Sequence, residues 1–379
     1  MLYSDINDFE KKEKSMKRIL FISHFLSRAG TETFMMNMFR GIDHKRFQID
    51  FLIYTKKETD YTREVEDAGC KVWRITSRKE SPVKWYSELN RFFKQHAKEY
   101  AAVHYCGNSL TTIAPIVFAY RYGVPIRICH AHNSSSAGLH NKVLHLLQRG
   151  IARKITTHHF ACSSMAAKWF FGSGNAVVIK NGIQTSRFAY KPEVRMQIRT
   201  ELDIPKNAFV IGHVGRFENE KNHSFLLVIF AVFAKAHPDA RLMLIGRGVL
   251  MDAMKEKASS LGIADKVLFM GEQKNVNELL QAFDLFLMPS TFEGQPFVLI
   301  EAQCAGLPCL VSDVINDDIC LTPNIRKLSL QQNAEEWSKQ MSEMLNTFVR
   351  KDESMTLIQK GYDTSHTISY IESVYDGEL

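Results

Sequence analysis

The sequence predicts an α/β protein built from two doubly wound, Rossmann-like domains in tandem. Three observations carry that expectation. Short apolar and β-branched runs alternate with helix-length segments along the whole chain. Those runs are continuous rather than alternating in polarity, the pattern of parallel strands buried on both faces. They also fall into two series, separated by the turn signal Asn181-Gly182-Ile183 and a polar stretch, so that 379 residues divide into two domains of ordinary size.

Taken in order, residues 1–16 are polar and mixed in charge and are expected to form a disordered leader, with Met16 an alternative start. The first domain, 17–183, holds expected strands at 18–23, 49–54, 70–75, 102–106, 126–130, 160–163 and 177–180. The second, 184–379, holds strands at 209–214, 241–245, 267–270, 285–288 and 309–312, and its last helix is expected to cross back to the first domain. In such sheets ligands bind beyond the carboxyl ends of the strands. The motifs of interest all sit there.

Composition narrows the class. Apolar residues make up 45% and charged residues 23% of the chain, as in soluble globular proteins. No apolar run approaches the roughly 20 residues that span a bilayer. Seven cysteines without a C-x-x-C pair fit reduced thiols in the cytoplasm rather than a zinc site or disulfide framework. Charge is uneven: residues 1–185 hold 28 Lys+Arg against 15 Asp+Glu, residues 186–379 hold 20 against 26, and no acid occurs between Glu99 and Glu193. A basic half points to an anionic partner such as a membrane surface or a phosphorylated substrate, or is simply a solvated face. Nucleic acid is not expected, because no recognised motif or aromatic-studded basic patch is present. Residues 140–155 place Val143, Leu144, Leu146, Leu147 and Ile151 among Lys142, Arg149, Arg153 and Lys154. That pattern suits a helix packing its apolar side on a sheet, or one lying on an anionic membrane.

The most informative stretch is Met288-Pro289-Ser290-Thr291-Phe292-Glu293-Gly294-Gln295-Pro296-Phe297-Val298-Leu299-Ile300-Glu301. A Gly/Pro loop after an apolar strand opens a helix, and free amides at a helix N-terminus suit a phosphate. Carboxylates would repel a phosphate, so Glu293 and Glu301 make sense gripping something neutral and rich in hydroxyls. A nucleotide-sugar has both parts. Glu301 falls inside a helix expected to start near Pro296 and to end at Gly306, close to its buried side. A buried carboxylate needs partners, either a ribose diol or a structural hydrogen bond.

The strand ending at Val214 runs into Gly215-Arg216-Phe217-Glu218-Asn219-Glu220-Lys221-Asn222. Gly215 permits close backbone approach. Arg216 and Lys221 bring a planar fork and a point charge that suit a diphosphate. The alternative is a surface ion pair with Glu218 or Glu220. Gly30 and Thr31, in the first β–α turn, can approach phosphates in the same way. Gly246-Arg247-Gly248 does not extend to a dinucleotide fingerprint. His130 and His132 close a strand and point to one side of it. They read as a polar contact with substrate rather than a metal pair, because no third ligand has sensible spacing, and no metal is expected.

At these residues the chain resembles the retaining glycosyltransferases of family 4, which have the GT-B fold. The resemblance rests on Gly215-Arg216…Glu220-Lys221-Asn222, Gly246-Arg247-Gly248, Glu293-Gly294…Glu301-Ala302 and Gly306-Leu307-Pro308, and less specifically on Gly30-Thr31-Glu32 and the His130–Asn133 region, which are similar to enzymes of capsular and exopolysaccharide synthesis. It implies an interdomain cleft, with an acceptor side in the first domain and a nucleotide-sugar side in the second. It implies that Arg216 and Lys221 hold the donor diphosphate and that Glu301 binds the ribose hydroxyls. Glu293 then faces the transferred sugar, with the backbone of Gly294, Gln295, Pro296, Phe297 and Val298 at the β-phosphate. The segment opened by Gln273 and closed by Val276 borders the base, Gly215 and Gly246 line the donor site, and His132 or His130 touches sugar or acceptor. After Ser312-Asp313 the family often shows a Gly-rich stretch ending in Glu; here the chain reads Val314-Ile315-Asn316-Asp317-Asp318.

The implied activity is hexosyl transfer from a nucleoside diphosphate sugar, UDP-linked by expectation, to a saccharide or lipid-linked saccharide, without a metal or other cofactor. A cytoplasmic location follows, with attachment to the inner face of the plasma membrane through an anionic surface. Two other readings share the fold: a nucleotide-sugar 2-epimerase, which needs no acceptor, and a non-catalytic sugar-nucleotide-binding scaffold.

Overall fold

The structure, a computed structural model, describes residues 16–28, 30–134, 138–172 and 175–379. The expected leader lies, apart from Met16, outside the described residues. The chain divides into two compact units. One runs to Ile179 and takes up Tyr370–Leu379; the other is Lys180–Ser369, so the Asn181-Gly182-Ile183 turn belongs to the second.

The first unit is built on a seven-stranded parallel sheet of order β3-β2-β1-β4-β5-β6-β7. Its strands are β1 (Lys17–Ser23), β2 (Phe47–Ile53), β3 (Val72–Arg74), β4 (Ala102–Gly107), β5 (Ile126–Ala131), β6 (His158–Ala161) and β7 (Val177–Val178). Leu20, Ile22, Leu52 and Val103 bury one face against Trp85, Leu89 and Phe93 of the helix Pro82–His96. That helix starts where Pro82 follows Ser81, whose hydroxyl accepts from the Lys84 amide. On the other face Phe21 stacks on Phe51, and Phe47 meets Tyr375 from the closing segment.

The second unit has a six-stranded parallel sheet of order β10-β9-β8-β11-β12-β13. Its strands are β8 (Val210–Val214), β9 (Arg241–Ile245), β10 (Val267–Gly271), β11 (Leu285–Met288), β12 (Cys309–Ser312) and β13 (Ile325–Leu328). A core of its own joins Ile211, Leu242, Leu285 and Leu310 to Leu226, Phe230 and Phe233 of the helix His223–Ala236 and to Trp337.

Two departures from the expected strands have physical causes. β13 escaped notice because it is an edge strand, partly exposed at all four residues, with Arg326 and Lys327 in place of an apolar run. The strand expected at 160–163 ends at Ala161, because the Ser163 side chain caps the helix Ser164–Phe171 by accepting from the Ala166 amide.

Both sheets reverse their strand order beside the central strand, between β1 and β4 in one and between β8 and β11 in the other. Neighbouring connections there leave in opposite directions, which opens a crevice above the strand ends. The loops following β8 and β11 therefore meet, and these are the loops that carry Lys221 and Glu293.

Candidate active site

In the second unit, the loop after β8 turns sharply at Gly215. A Cβ there would stand 2.8 Å from His213 Nε2 and 3.4 Å from Lys221 Cδ. Gly246, after β9, has φ +143°, and a Cβ on it would lie 2.0 Å from the Gly215 carbonyl oxygen. Its glycine is demanded by the neighbouring loop, independently of any ligand. The Phe217 amide donates to the Arg247 carbonyl, and the Gly246 amide donates to that of Gly271. Three strand ends are thus tied into one rim.

The β8 and β11 loops are stitched together at three points. The Thr291 amide donates to the Glu220 carbonyl at 2.8 Å, Asn222 Nδ2 donates to the Pro289 carbonyl at 3.0 Å, and Lys221 Nζ lies 2.7 Å from Glu293 Oε1 and 2.9 Å from Oε2. Asn222 reaches across because it adopts the left-handed conformation, φ 55° and ψ 41°, which asparagine tolerates. Arg216 is well exposed and paired with Glu218 at 2.9 Å. That is the surface pair expected as the alternative to ligand binding. The pairing of Lys221 with Glu293, 72 positions apart, is set by the fold and not by local spacing.

Pro296 leads into the helix Phe297–Cys304, with φ −70° and ψ 113°. Gly306 follows it at φ +69°, where a Cβ would collide with the Lys351 carbonyl oxygen at 1.8 Å. Glu301 is half-buried between Ile300 and Ala302, and its carboxyl has no hydrogen-bonding partner among the described residues. Loss of water pushes its pKa up to about 7, opposed by the charge of Arg187. Asn181 donates to the Gln295 carbonyl at 3.4 Å, and Asn181 Oδ1, Gln295 Oε1 and the buried Ser290 hydroxyl have no partner. Gly294 has open space where a Cβ would be. Val298 is half-buried and Phe297 buried. Gln273 is held to the Met270 carbonyl, and Val276 opens the helix Val276–Ala282.

Beneath the Lys221 loop, His213 Nδ1–H donates to the Leu287 carbonyl, 2.8 Å away, and because a carbonyl only accepts, this fixes the proton on Nδ1. Its Nε2 and both nitrogens of the buried His223 are unpartnered. Burial holds His223 near pKa 4 and His213 well below its ordinary value.

In the first unit Gly30 opens the helix Gly30–Gly41 with nothing within 4 Å of an added Cβ. Thr31 donates its hydroxyl to Asn108 Oδ1 at 3.2 Å, linking the loops after β1 and β4. His130 and His132 share one side of β5, their rings 4.2 Å apart, with Phe34 against both. His104, from the adjacent β4, bonds His130 Nδ1 at 3.1 Å and the Tyr375 hydroxyl at 2.7 Å. The outer nitrogens, Nε2 of His130 and of His132, are left without partners. Burial lowers the His132 pKa to about 3 and that of His130 well below the ordinary value, so both are neutral hydrogen-bonding groups. His104, Cys106 and His130 bring one ligand atom each within 4.8 Å of the others. Spacing along the chain hid these neighbours, because His104 and Cys106 lie on a different strand.

A family model described as "Glycosyl transferases group 1" matches residues 194–362. Over 374 residues the chain is 31% identical to the putative glycosyltransferase EpsF of Bacillus subtilis, covering 96% of this chain and 97% of that protein. It is 26% identical over 316 residues to the UDP-Gal:alpha-D-GlcNAc-diphosphoundecaprenol alpha-1,3-galactosyltransferase of Escherichia coli, covering 78% and 79%. Among solved structures it resembles Anabaena HepE in complex with UDP and glucose, with TM-score 0.77, 17% identity and coverage of 95% and 99%. It also resembles the sucrose-phosphate synthase of Thermosynechococcus elongatus, with TM-score 0.71, 15% identity and coverage of 95% and 98%. The structural likeness identifies the fold as GT-B.

Proposed function

Because the chain belongs to the group 1 glycosyltransferases, we propose that it moves a hexose from UDP to a hydroxyl of a saccharide or lipid-linked saccharide, with retained anomeric configuration, in the synthesis of a cell-surface polysaccharide. The observation that carries this reading is the meeting of Lys221 with Glu293 at the β8/β11 crevice, above a rim of glycine-bearing strand ends. The galactosyltransferase relative, named for a UDP-sugar donor and a diphosphoundecaprenol-linked acceptor, supports the choice of donor and acceptor class.

In the proposed mechanism the diphosphate displaces Glu293 from Lys221 and Glu218 from Arg216. Both cations, with the amides of Gly294 and Gln295, then take up the negative charge that grows as the sugar–phosphate bond breaks. Glu293, released, accepts from hydroxyls of the transferred hexose. Glu301 accepts from the ribose diol, while Gln273 and Val276 border the base. His130 and His132, being neutral, exchange hydrogen bonds with sugar or acceptor without repelling a cationic transition state. Gly30 and Thr31 supply a second phosphate-binding β–α turn, at the end of β1 in the first unit. Charge neutralisation by side chains makes a divalent ion dispensable, so turnover in the presence of a chelator is expected to be unchanged. A lipid-linked acceptor sets the site of action at the cytoplasmic face of the plasma membrane.

The test is a mass-spectrometric screen of UDP-, GDP- and dTDP-sugars with and without saccharide acceptors. The expected result is UDP release that depends on acceptor and a product heavier by one hexose. Formation of an epimeric nucleotide-sugar from donor alone would overturn the transferase reading in favour of a 2-epimerase. Binding without turnover of any donor would leave a scaffold.

A further inference from the structure

The helix Leu139–Ile155 in the first unit turns His145, Gln148, Ala152 and Ile155 inward. Buried His145 accepts from the Leu110 amide and bonds the Trp169 carbonyl, Gln148 accepts from the Ile113 amide, and Ala152 is fully buried. Its apolar side faces outward. Leu139 and Leu147 are 79% and 70% exposed, and Val143, Leu146 and Ile151 about half exposed. At 3.6 residues per turn these five form one stripe along the helix. The helix does pack on the core through Ala152 and Ile155, but the side bearing Val143, Leu146, Leu147 and Ile151 is turned outward.

The charge around the stripe says what covers it. Lys142, Arg149 and Arg153 recur at intervals of seven and four, so they form one row along an edge of the stripe, and Lys154 stands at its end. None of the four is paired with an acid among the described residues, and no Asp or Glu occurs in the sequence between Glu99 and Glu193. The neighbouring helix Ser164–Phe171 adds exposed Met165 and Lys168. A protein partner with an apolar groove would satisfy the leucines alone. An anionic bilayer satisfies both features, because acyl chains receive the apolar stripe while lipid phosphates meet the flanking cations.

We propose that the Leu139–Ile155 helix lies in the interface of an anionic membrane, with Leu139, Leu146 and Leu147 below the headgroups and Lys142, Arg153 and Lys154 among them. This deepens the functional proposal, since a lipid-borne acceptor has to be met at a bilayer, but the docking itself needs neither donor nor acceptor. No helix among the described residues is long and apolar enough to cross a membrane, so this contact is parallel to the surface.

Flotation of the full chain with vesicles of phosphatidylcholine, alone or mixed with phosphatidylglycerol, tests it. The wild type should float with the mixed vesicles, remain behind with the neutral ones, and be released by high salt. The triple variant Lys142→Gln, Arg153→Gln, Lys154→Gln should bind the mixed vesicles on the order of 100-fold more weakly. Leu139→Ser with Leu147→Ser should lose flotation at any lipid composition. Thermal melts should match the wild type, because the altered side chains are exposed. Transfer to a water-soluble acceptor should also persist, which separates failure of docking from failure of the enzymatic reading. Equal binding to both vesicles, or variants that float like the wild type, would overturn the proposal. So would a wild-type dimer in sedimentation that Leu147→Ser dissolves, since the stripe would then join two copies of this chain.

Discussion

Lys221 Nζ sits within hydrogen-bonding distance of both oxygens of Glu293, 2.7 and 2.9 Å away, across 72 positions of sequence. Both side chains are largely withdrawn from water, at 21% and 8% exposure. The pair holds the β8 and β11 loops in register before any ligand arrives. In the proposed mechanism a diphosphate would compete for the same ammonium, so that donor binding would exchange one anion for another rather than bury a bare charge.

Replacing Lys221 by Ala removes the cation and leaves Glu293 without its partner. The expected outcome is a fall in kcat on the order of 100-fold, as loss of one charge-stabilising contact produces. Steady-state kinetics at saturating donor check it, and turnover near the wild-type value would remove Lys221 from the mechanism. Glu293→Gln keeps the shape of the loop and should lower kcat more than it raises KM for donor.

Glu301 gives a pH dependence with a definite sign. Its carboxyl is held near pKa 7 by loss of water, above the ordinary carboxylate value. On the proposed role of Glu301, its charged form would accept from the ribose hydroxyls, so donor binding would favour deprotonation, and KM for donor should rise as pH falls from 8 to 6. Glu301→Gln should raise KM and flatten that profile. A KM that stays level with pH in the wild type would separate this carboxyl from donor binding. The same shift acts on stability in the opposite sense, since a carboxyl whose folded pKa is raised destabilises the fold as pH climbs past the unfolded value.

The glycines divide by role. Gly246→Ala forces a side chain against the Gly215 carbonyl oxygen at an unfavourable φ, and should destabilise the second unit by about 1–3 kcal/mol, read as a lower Tm. Gly30→Ala and Gly294→Ala meet open space. They should leave Tm within error of the wild type, while Gly294→Ala alone should raise KM for donor, if the donor's phosphates approach the backbone of that loop. Equal Tm losses at all three positions would contradict this division.

The withdrawn histidines make the protein acid-sensitive. His104, His130, His145, His213 and His223 are buried, His132 is half-buried, and all six have pKa values lowered chiefly by loss of water. A depressed folded pKa means that the unfolded chain binds protons first. The stability is therefore complete above the ordinary histidine value and is lost as pH falls below it. The slope is about 1.4 kcal/mol per pH unit for each histidine that titrates on unfolding. Denaturant melts at pH 7.5, 6 and 5 check this, and a midpoint independent of pH would refute it.

Much of this was legible in the chain itself. Apolar runs located twelve of the thirteen strands among the described residues; the central ones, such as β1, β4, β8 and β11, stood out because a strand buried on both faces has no polar side to disguise it, while the edge strands β3 and β7 were marked only by short apolar runs. The loop chemistry around Lys221, Glu293 and Glu301 stood out because glycine, proline and charge follow an apolar strand there. β13 did not stand out, since an edge strand with Arg326 and Lys327 reads as surface.

What the sequence by itself determined is periodicity and local chemistry: the two α/β halves, the loops that bear charge, the glycine that closes the Phe297–Cys304 helix. Only the tertiary structure decided which side of the Leu139–Ile155 helix faces outward, that Lys221 meets Glu293, and that His104 and Tyr375 stand behind His130. Those facts depend on which strands lie side by side and how a helix is rotated over them. Periodicity marks a face as apolar, but the hydrogen bonds of His145 and Gln148, made to partners far along the chain, set the rotation that turns that face outward.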